Sequence, residues 1–503
     1  MEALISRLAA FLSRYSLSLL SGLLMALSFP NIFHPDFFPA GAFVAWFCLL
    51  PLFCTLDGEA PEAAFKKGFV AGFFFFLLST AWINHIKPMG PGAPPAWICL
   101  SAWLALFPAC FAWGLARGRE ARLPWEAFWV PALWTLLEVA RERLLSGYPW
   151  VSLGSSQAAS RVWLGLAALT GVYGLHFCVA LINLLAWQLW RRRSELLPGL
   201  LLTAALLALR IAFPLRVPSG PGIKVAVIQG NIDQDQAWTL AYRQELMASY
   251  SALMREAVDA GAKILVWPES AYPGFFDEFG PESETLRAFA RHERVGLIVG
   301  SSLVDRQDPA YYNAAVMIDA QGNTADYRKR HLVPFGEYIP FRSLVPILDR
   351  LLTRLGLSDF RPGADEQPGF LLQGLAVSPE ICYESVYSEK VRQSAGEANL
   401  MAVLTLDSWF GDSAAPRHHF SQAVLRAVEN GFWVARSAAT GISGFVAPDG
   451  KISGLVPLNE RGWSLQEIPF LGQKTFYRRH GPWFIWLCAL FLALPWFFRP
   501  KGL

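Results

Sequence analysis

Apolar residues fill eight long stretches of this chain, at about 9–28, 38–55, 67–86, 95–116, 125–142, 162–190, 197–214 and 481–498. Crossing a bilayer as a helix takes roughly 20 such residues, so each stretch reads as a membrane span. Seven precede a long polar-to-mixed region and one follows it. The fifth, PWEAFWVPALWTLLEVARERL, carries Glu126 and Glu138. It reads equally as a helix buried in the bundle, because charges inside a bundle face protein or water.

From IKVAVIQGN (223–231) the pattern changes. Short β-rich runs (KVAVIQ, KILVWPES, GLIVGSS, NAAVMID, LAVSPEICY, MAVLTLD and WVARSAA) alternate with helical periodicity over 239–260, 283–293 and 419–430. Strands alternating with helices predict an α/β layered domain. DAQGN and APDGK read as hairpin turns. The expected organisation is a transmembrane bundle over 1–217, an α/β domain over 218–475 and a C-terminal transmembrane helix over 476–503.

Composition agrees with that plan. Of 503 residues 53% are hydrophobic and 17% charged, with 20 Trp and 37 Phe, which excludes a single soluble globule. A net charge of +3 offers no argument for nucleic acid. The distribution of charge says more. With the N-terminus in the cytoplasm, Arg7, Arg14, Lys66, Lys67, Arg117, Arg119, Arg122, Arg191, Arg192, Arg193, Arg499 and Lys501 all fall inside, and chiefly Lys87 and Arg161 outside. Residues 218–475 then lie on the far side, which in a bacterium is the periplasm. A rival reading takes residues 1–28 as a signal peptide, which would remove one span and break the charge agreement.

Six of the seven cysteines sit inside apolar runs, and there is no CxxC or Cys/His metal spacing. Cys382, in LAVSPEICYES, stands alone at a predicted strand end. Glu269 ends KILVWPES, and Lys329 precedes a short apolar run in ADYRKRHLVPFGEY. Sites in open α/β sheets gather at strand ends. Singly, each residue has an ordinary reading: a solvated Glu or Lys, a small core Cys. Together they suit an activated nucleophile, in which the thiolate attacks, a carboxylate manages its proton and an ammonium stabilises negative charge.

WPES, YRKRHLVPFGEY and EICYE resemble the Glu–Lys–Cys triad of the nitrilase (carbon-nitrogen hydrolase) superfamily. HLVPFGEYIP, the NID…DQAW segment, LDSWFG and a YPW…SSQ loop between spans, with seven spans before the domain and one after, narrow the resemblance to the apolipoprotein N-acyltransferase family. That resemblance covers essentially the whole chain. It implies an α-β-β-α sandwich for the soluble domain, joined to a polytopic helical membrane bundle of about eight spans. It implies Glu269 as general base, Lys329 as oxyanion-side cation and Cys382 as nucleophile, with the backbone N–H after the cysteine as an oxyanion donor. Glu337 matches a second carboxylate near the triad, and Tyr383 and Glu384 the residues directly after the cysteine. Trp238 matches a loop tryptophan; Trp409, Phe410, Tyr148 and Trp150 match supporting positions. Leu406 departs from the pattern, which has Asn there in many relatives.

The activity implied is transfer of an acyl chain from a phospholipid, phosphatidylethanolamine, through a Cys382 thioester to the α-amino group of a diacylglyceryl-cysteine apolipoprotein. No metal or organic cofactor is implied, and the chain is expected to be a monomer in the inner membrane with both termini cytoplasmic. The residues support the lipid link in their own right. Both substrates are held at the bilayer by buried CH₂ groups at about 0.8 kcal/mol each, which a soluble enzyme would have to extract. SLVPILDRLLTRLGL (343–357) has the spacing of an amphipathic helix, either packed on the core or dipping into the outer leaflet, and YPGFFDEFG (272–280) reads as an apolar lid or an inward-packed loop. His331 is expected to be structural, and His418 and His419 lie near LDSWFG. Arg210, in the seventh span, is expected to be paired or snorkelling. The rivals are a membrane-anchored amidase or nitrilase sharing the triad, a transporter with an appended domain, and a catalytically dead nitrilase fold.

Overall fold

The computed structural model describes residues 2–30, 39–160, 162–191, 196–231, 240–278, 280–305, 310–340, 350 and 360–499. It divides into two compact units: Met1–Pro214 with Phe410–Ser421 and Arg479–Leu503, and Leu215–Trp409 with Gln422–Arg478.

The first unit is helical. Among the described residues four helices are long and apolar enough to cross a membrane, Ala9–Leu27, Pro61–His85, Met89–Glu120 and Val172–Trp190, and Leu196–Ala212 and Trp483–Phe497 are shorter apolar helices. The stretch expected as one span at 38–55 is instead two six-residue helices, Pro39–Val44 and Leu50–Thr55. Pro51, in the first turn of the second, starts a helix more readily than it continues one. The break is stable because Asn183 serves its backbone: Leu49 N–H donates to Asn183 Oδ1 at 2.8 Å, and Asn183 Nδ2 donates to Ala45 O at 2.8 Å. The run at 162–190 likewise becomes a continuous helix only from Val172, after Gly171 at φ 67°.

Close helix approach depends on small residues. A side chain at Gly68 or Gly72 would overlap Pro108 of the neighbouring helix. In the same way, the Arg210 guanidinium lies over Gly165. The charged fifth stretch forms the helix Glu126–Arg143, and its acids are paired. Glu126 receives Arg119 at 2.7 and 3.2 Å, and Glu138 pairs with the buried Arg141. Arg141 Nη1 also donates to Tyr148 O at 2.6 Å and Trp150 O at 2.8 Å, fixing the loop that follows.

The second unit holds two six-stranded sheets among the described residues. The first contains β1 (Gly222–Gln229), β2 (Ile264–Val266), β3 (Gly296–Val304), β4 (Tyr311–Ile318) and β5 (Thr324–Arg328). The second contains β6 (Phe370–Leu372), β7 (Leu375–Ile381), β8 (Leu400–Thr405), β9 (Trp433–Ala438), β10 (Ser443–Val446) and β11 (Ile452–Val456). Strand β12 (Gly462–Pro469) returns to the first sheet, giving the orders β12-β1-β2-β3-β4-β5 and β11-β10-β9-β8-β7-β6. Each sheet has three parallel central strands, β1–β3 and β7–β9, flanked by antiparallel neighbours. Both expected hairpin turns are present, DAQGN between β4 and β5 and APDGK between β10 and β11.

One apolar core joins the sheets: Val225, Val227, Ile264, Val266 and Ile298 from the first meet Leu375, Val377, Ile381, Leu400, Ala402 and Leu404 from the second. Helices Leu240–Asp259 and Pro281–Glu293 cover the other face of the first sheet through Tyr250, Leu253, Met254, Leu286 and Ala290. The crossovers β7→β8 and β8→β9 run through helices Ser388–Ser394 and Ala415–Asn430. With the inner face of that sheet filled, crossover helices occupy its outer face, where Met401, Val403 and Val434 are fully buried. Near the end of this unit Arg478 Nη2 donates to the carbonyls of Ala395, Gly396 and Ala398 at 2.8–3.0 Å, and its Nη1 to that of Asn430 at 3.3 Å.

Candidate active site

Three strand ends carry the residues singled out in the sequence. Glu269 follows β2 after Trp267 and Pro268, Lys329 directly follows β5, and Cys382 directly follows β7. All three are buried. Lys329 Nζ lies 3.3 Å from Glu269 Oε1 and 2.8 Å from Glu337 Oε1. Burial works against the ammonium, but the charges of Glu269 and Glu337 more than offset it and hold Lys329 above its ordinary range. Burial pushes the Cys382 thiol well up; the Glu269 charge adds to this and Lys329 opposes it. The resting cysteine is therefore a thiol.

The backbone around these groups is unusual. Ser270, Phe335 and Cys382 have φ of 52°, 62° and 50°, a left-handed conformation that costs a non-glycine residue energy and persists where its surroundings enforce it. At Cys382 that conformation turns β7 directly into the short 3₁₀ turn Cys382–Val386.

Glu384, in that turn, is fully buried and explains how it is held. Its carboxylate accepts the backbone N–H of Arg330 at 2.5 Å, of His331 at 3.1 Å and of Ile381 at 3.0 Å, and the Tyr327 hydroxyl at 3.1 Å. Arg330 in turn donates to the Tyr327 hydroxyl at 2.8 Å and pairs with Glu380 at 3.4 Å. Burial pushes the Glu380 carboxyl up to about 8, with the Glu384 charge adding to this and Arg330 opposing it. Ser394 donates to Glu380. Burial raises Glu384 as well, but the Arg330 charge and the backbone N–H donors oppose it there, so the tendency to hold a proton is greater at Glu380.

Sequence reasoning missed Asn313. Its Nδ2 donates to Glu269 Oε1 at 2.7 Å and to Glu337 Oε1 at 2.8 Å, and its carbonyl receives Lys329 N–H at 2.8 Å. Its position as the polar first residue of the buried run NAAVMID was the available signal. Glu337 Oε2 takes Val333 N–H at 2.7 Å. Glu269 Oε2, by contrast, is buried without a hydrogen-bond partner among the described residues.

The other expected residues fall in several places. The half-buried Tyr383 ring meets Tyr387 at 5.2 Å and His331 at 5.8 Å. His331 packs on Tyr387 at 4.2 Å. Trp409 is exposed. In the helical unit Phe410 meets Trp82 and Trp150 at 4.9 and 5.6 Å, His419 lies 5.5 Å from Trp150, and His418 bonds the Pro30 carbonyl. Tyr148 and Trp150 belong to that unit, held by Arg141. Trp238 and, apart from Arg350, the segment 343–357 lie outside the described residues. The loop at 272–280 packs inward in part: Tyr272 and Phe276 join the apolar layer beneath the first sheet, and their N–H groups bond Gly300 O and Ser302 O. Phe275 turns outward against Tyr311 at 5.4 Å.

Residues 224–472 match the carbon-nitrogen hydrolase family, and residues 21–185 match the N-terminal domain of apolipoprotein N-acyltransferase. The apolipoprotein N-acyltransferase of Geobacter metallireducens is 35% identical over 94% of this chain and 93% of its own length. That of Methylococcus capsulatus is 31% identical over 93% of this chain and 95% of its own. Among solved structures, an amidase from Nesterenkonia sp. is 22% identical over 53% of this chain and 97% of its own, with a TM-score of 0.39. An α/β domain of the carbon-nitrogen hydrolase type, joined to apolar helices and similar along nearly its whole length to these transferases, places the chain in the apolipoprotein N-acyltransferase family.

Proposed function

We propose that this protein transfers an acyl chain from phosphatidylethanolamine to the N-terminal α-amino group of diacylglyceryl-cysteine apolipoproteins, by a ping-pong route through a Cys382 thioester. What carries the reading is the buried pairing of Lys329 with Glu269 and Glu337, both Lys329 and Glu269 acting on a thiol held in a left-handed turn.

Glu269 is the general base. One of its oxygens is committed to Asn313 and Lys329, which leaves Oε2 to take the thiol proton as sulfur attacks the ester carbonyl. The Lys329 ammonium and the N–H of Tyr383 stabilise the oxyanion. As the intermediate collapses, the Glu269 proton goes to the leaving lysophospholipid oxygen. In the second half the incoming amine attacks the thioester, gives a proton to Glu269, and Cys382 leaves as sulfur and recovers a proton. Glu337 and Asn313 hold the lysine and the base in place; Glu384 holds the turn. Trp409, Phe410, Tyr148, Trp150 and Trp238 are supporting, substrate-binding residues in this reading.

The bundle comprises about eight spans, seven over 1–217, the second of them broken between Val44 and Leu50, and one over 476–503. The domain at 218–475 is periplasmic, both termini are cytoplasmic, and the chain acts as a monomer in the inner membrane. The asymmetry of Lys and Arg supports this orientation.

The test is the intact mass of the wild-type protein and of Cys382→Ala after exposure to phosphatidylethanolamine. The expected result is one added acyl chain on wild type only, discharged by a diacylglyceryl-cysteine peptide. No adduct under trapping conditions, together with turnover of short soluble amides, would replace this reading with an amidase.

A further inference from the structure

Behind Cys382 lies a second polar cluster. The parallel register of β7 and β8 ends with Ile381 opposite Leu404; Cys382 follows β7 directly and Thr405 ends β8, and the Thr405 hydroxyl lies within hydrogen-bonding reach of the Cys382 sulfur. Thr405 is fully buried, and its hydroxyl donates to Asp407 Oδ1 at 2.9 Å. Asp407 Oδ2 receives Arg436 Nη2 at 2.6 Å, and Arg436 Nε bonds the Ile442 carbonyl at 3.1 Å. Both members of that ion pair are buried. Gly441 makes room for it, since a side chain there would overlap the Asp407 carboxylate.

We infer that Thr405 is a further catalytic residue whose hydroxyl stabilises the Cys382 thiolate, with Asp407 and Arg436 as positioning residues that aim it. The inference rests on the reading of Cys382 as the nucleophile. A threonine hydroxyl has one hydrogen and two lone pairs. While Cys382 is a thiol, the hydrogen goes to Asp407. When Glu269 removes the thiol proton, the hydroxyl turns its hydrogen to sulfur. No covalent bond changes; the hydroxyl only exchanges acceptors. Asp407 loses one hydrogen bond but keeps Arg436, so no lone buried carboxylate is left behind.

The electrostatics agree with the geometry. After burial and the Glu269 charge, Asp407 also raises the thiol, whereas Lys329 and a hydrogen bond from Thr405 lower it. An aspartate beside a nascent thiolate would oppose its formation; the Arg436 guanidinium compensates that charge, and the hydroxyl stands between carboxylate and sulfur. The arrangement serves the second half-reaction equally, because the thiolate forms again when the thioester is cleaved.

The experiment is the pH dependence of iodoacetamide alkylation at Cys382, read by peptide mass mapping on the full-length detergent-solubilised protein, for wild type, Thr405→Val, Thr405→Ala and Thr405→Ser. Loss of a hydrogen bond to a charged group is expected to move the midpoint up by about one pH unit or more in the Val and Ala variants, with roughly tenfold slower alkylation at neutral pH. The Ser variant keeps the hydroxyl and stays near wild type. A purely structural role would lower the unfolding temperature and leave the midpoint unmoved, so wild-type midpoints in folded Val and Ala variants overturn the inference. Failure of wild-type Cys382 to take up an acyl chain from phosphatidylethanolamine under trapping conditions overturns the nucleophile reading instead.

Discussion

Glu384 accepts the backbone N–H of Arg330 at 2.5 Å, and so ties the chain leaving β5 to the turn that carries Cys382. Lys329 and Cys382 are thus held by one carboxylate that faces four donors and touches neither of them directly. Glu384→Gln is expected to fail nearly as badly as Glu384→Ala, because an amide turns two hydrogens toward groups that need an acceptor. A loss on the order of 100-fold in acyl transfer matches about 2–3 kcal/mol for hydrogen bonds to a buried charge. Rates and unfolding temperatures of the two variants decide it; near-wild-type transfer by the Gln variant would contradict the argument.

Lys329 separates two buried carboxylates. Lys329→Met leaves Glu269 and Glu337 facing each other without a counter-charge, and removing one partner of a buried pair costs about 3–5 kcal/mol. The unfolding temperature should fall and acyl-enzyme should no longer form. Adding Glu337→Gln to Lys329→Met should recover part of the stability and none of the activity. A double variant no more stable than the single one would show that the carboxylates do not repel.

Glu380 makes stability pH-dependent. Its carboxyl is raised from the ordinary range to about 8, so between those two values the unfolded chain releases a proton that the folded protein keeps. Its contribution is full below the unfolded pKa and is lost as pH rises through about 8. Glu380→Gln should therefore gain on wild type as pH rises from 5 to 9, by a few degrees in Tm at the alkaline end, where 1 kcal/mol is worth about 2–4 °C in a domain this size. Parallel melting curves across that range would contradict it.

Arg141 offers three donors in a fixed fork to Glu138 and to the carbonyls of Tyr148 and Trp150. A lysine keeps the charge without the fork. Arg141→Lys is expected to lower the unfolding temperature and to loosen Trp150, read as a shift in its fluorescence against a Trp150→Phe control. An unchanged spectrum and Tm would show that charge alone suffices.

The strand cores were legible because buried strands advertise themselves as short β-branched runs, and KVAVIQ, GLIVGSS, NAAVMID and MAVLTLD lie on β1, β3, β4 and β8. Glu269, Lys329 and Cys382 were legible as polar residues ending such runs. Other features depend on partners distant in the chain. Asn313 matters through Glu269, 44 positions away, and the break at Ala45–Leu49 depends on Asn183, over 130 positions away. Periodicity is a local signal and registers neither. The loop after Glu269 stays open between lid and inward packing in the sequence, because apolar composition is the same whether Tyr272 and Phe276 point in or out; backbone bonds to Gly300 and Ser302 hold those two residues inward.

The strand order carries a consequence for biogenesis. β1 is the first strand of its domain to be made, and β12, which pairs with it over eight residues from Gly222 to Gln229, is the last. Roughly 240 positions separate them, which at 5–20 residues per second is ~10–50 s of synthesis. Until β6 to β11 have been made, Val225, Val227 and Ile264 await a second sheet that does not yet exist. The nascent domain therefore passes through a long stage with an open apolar face and an unpaired edge. Slow translation or a delayed C-terminus should make this protein a client of holding chaperones well before it is an enzyme.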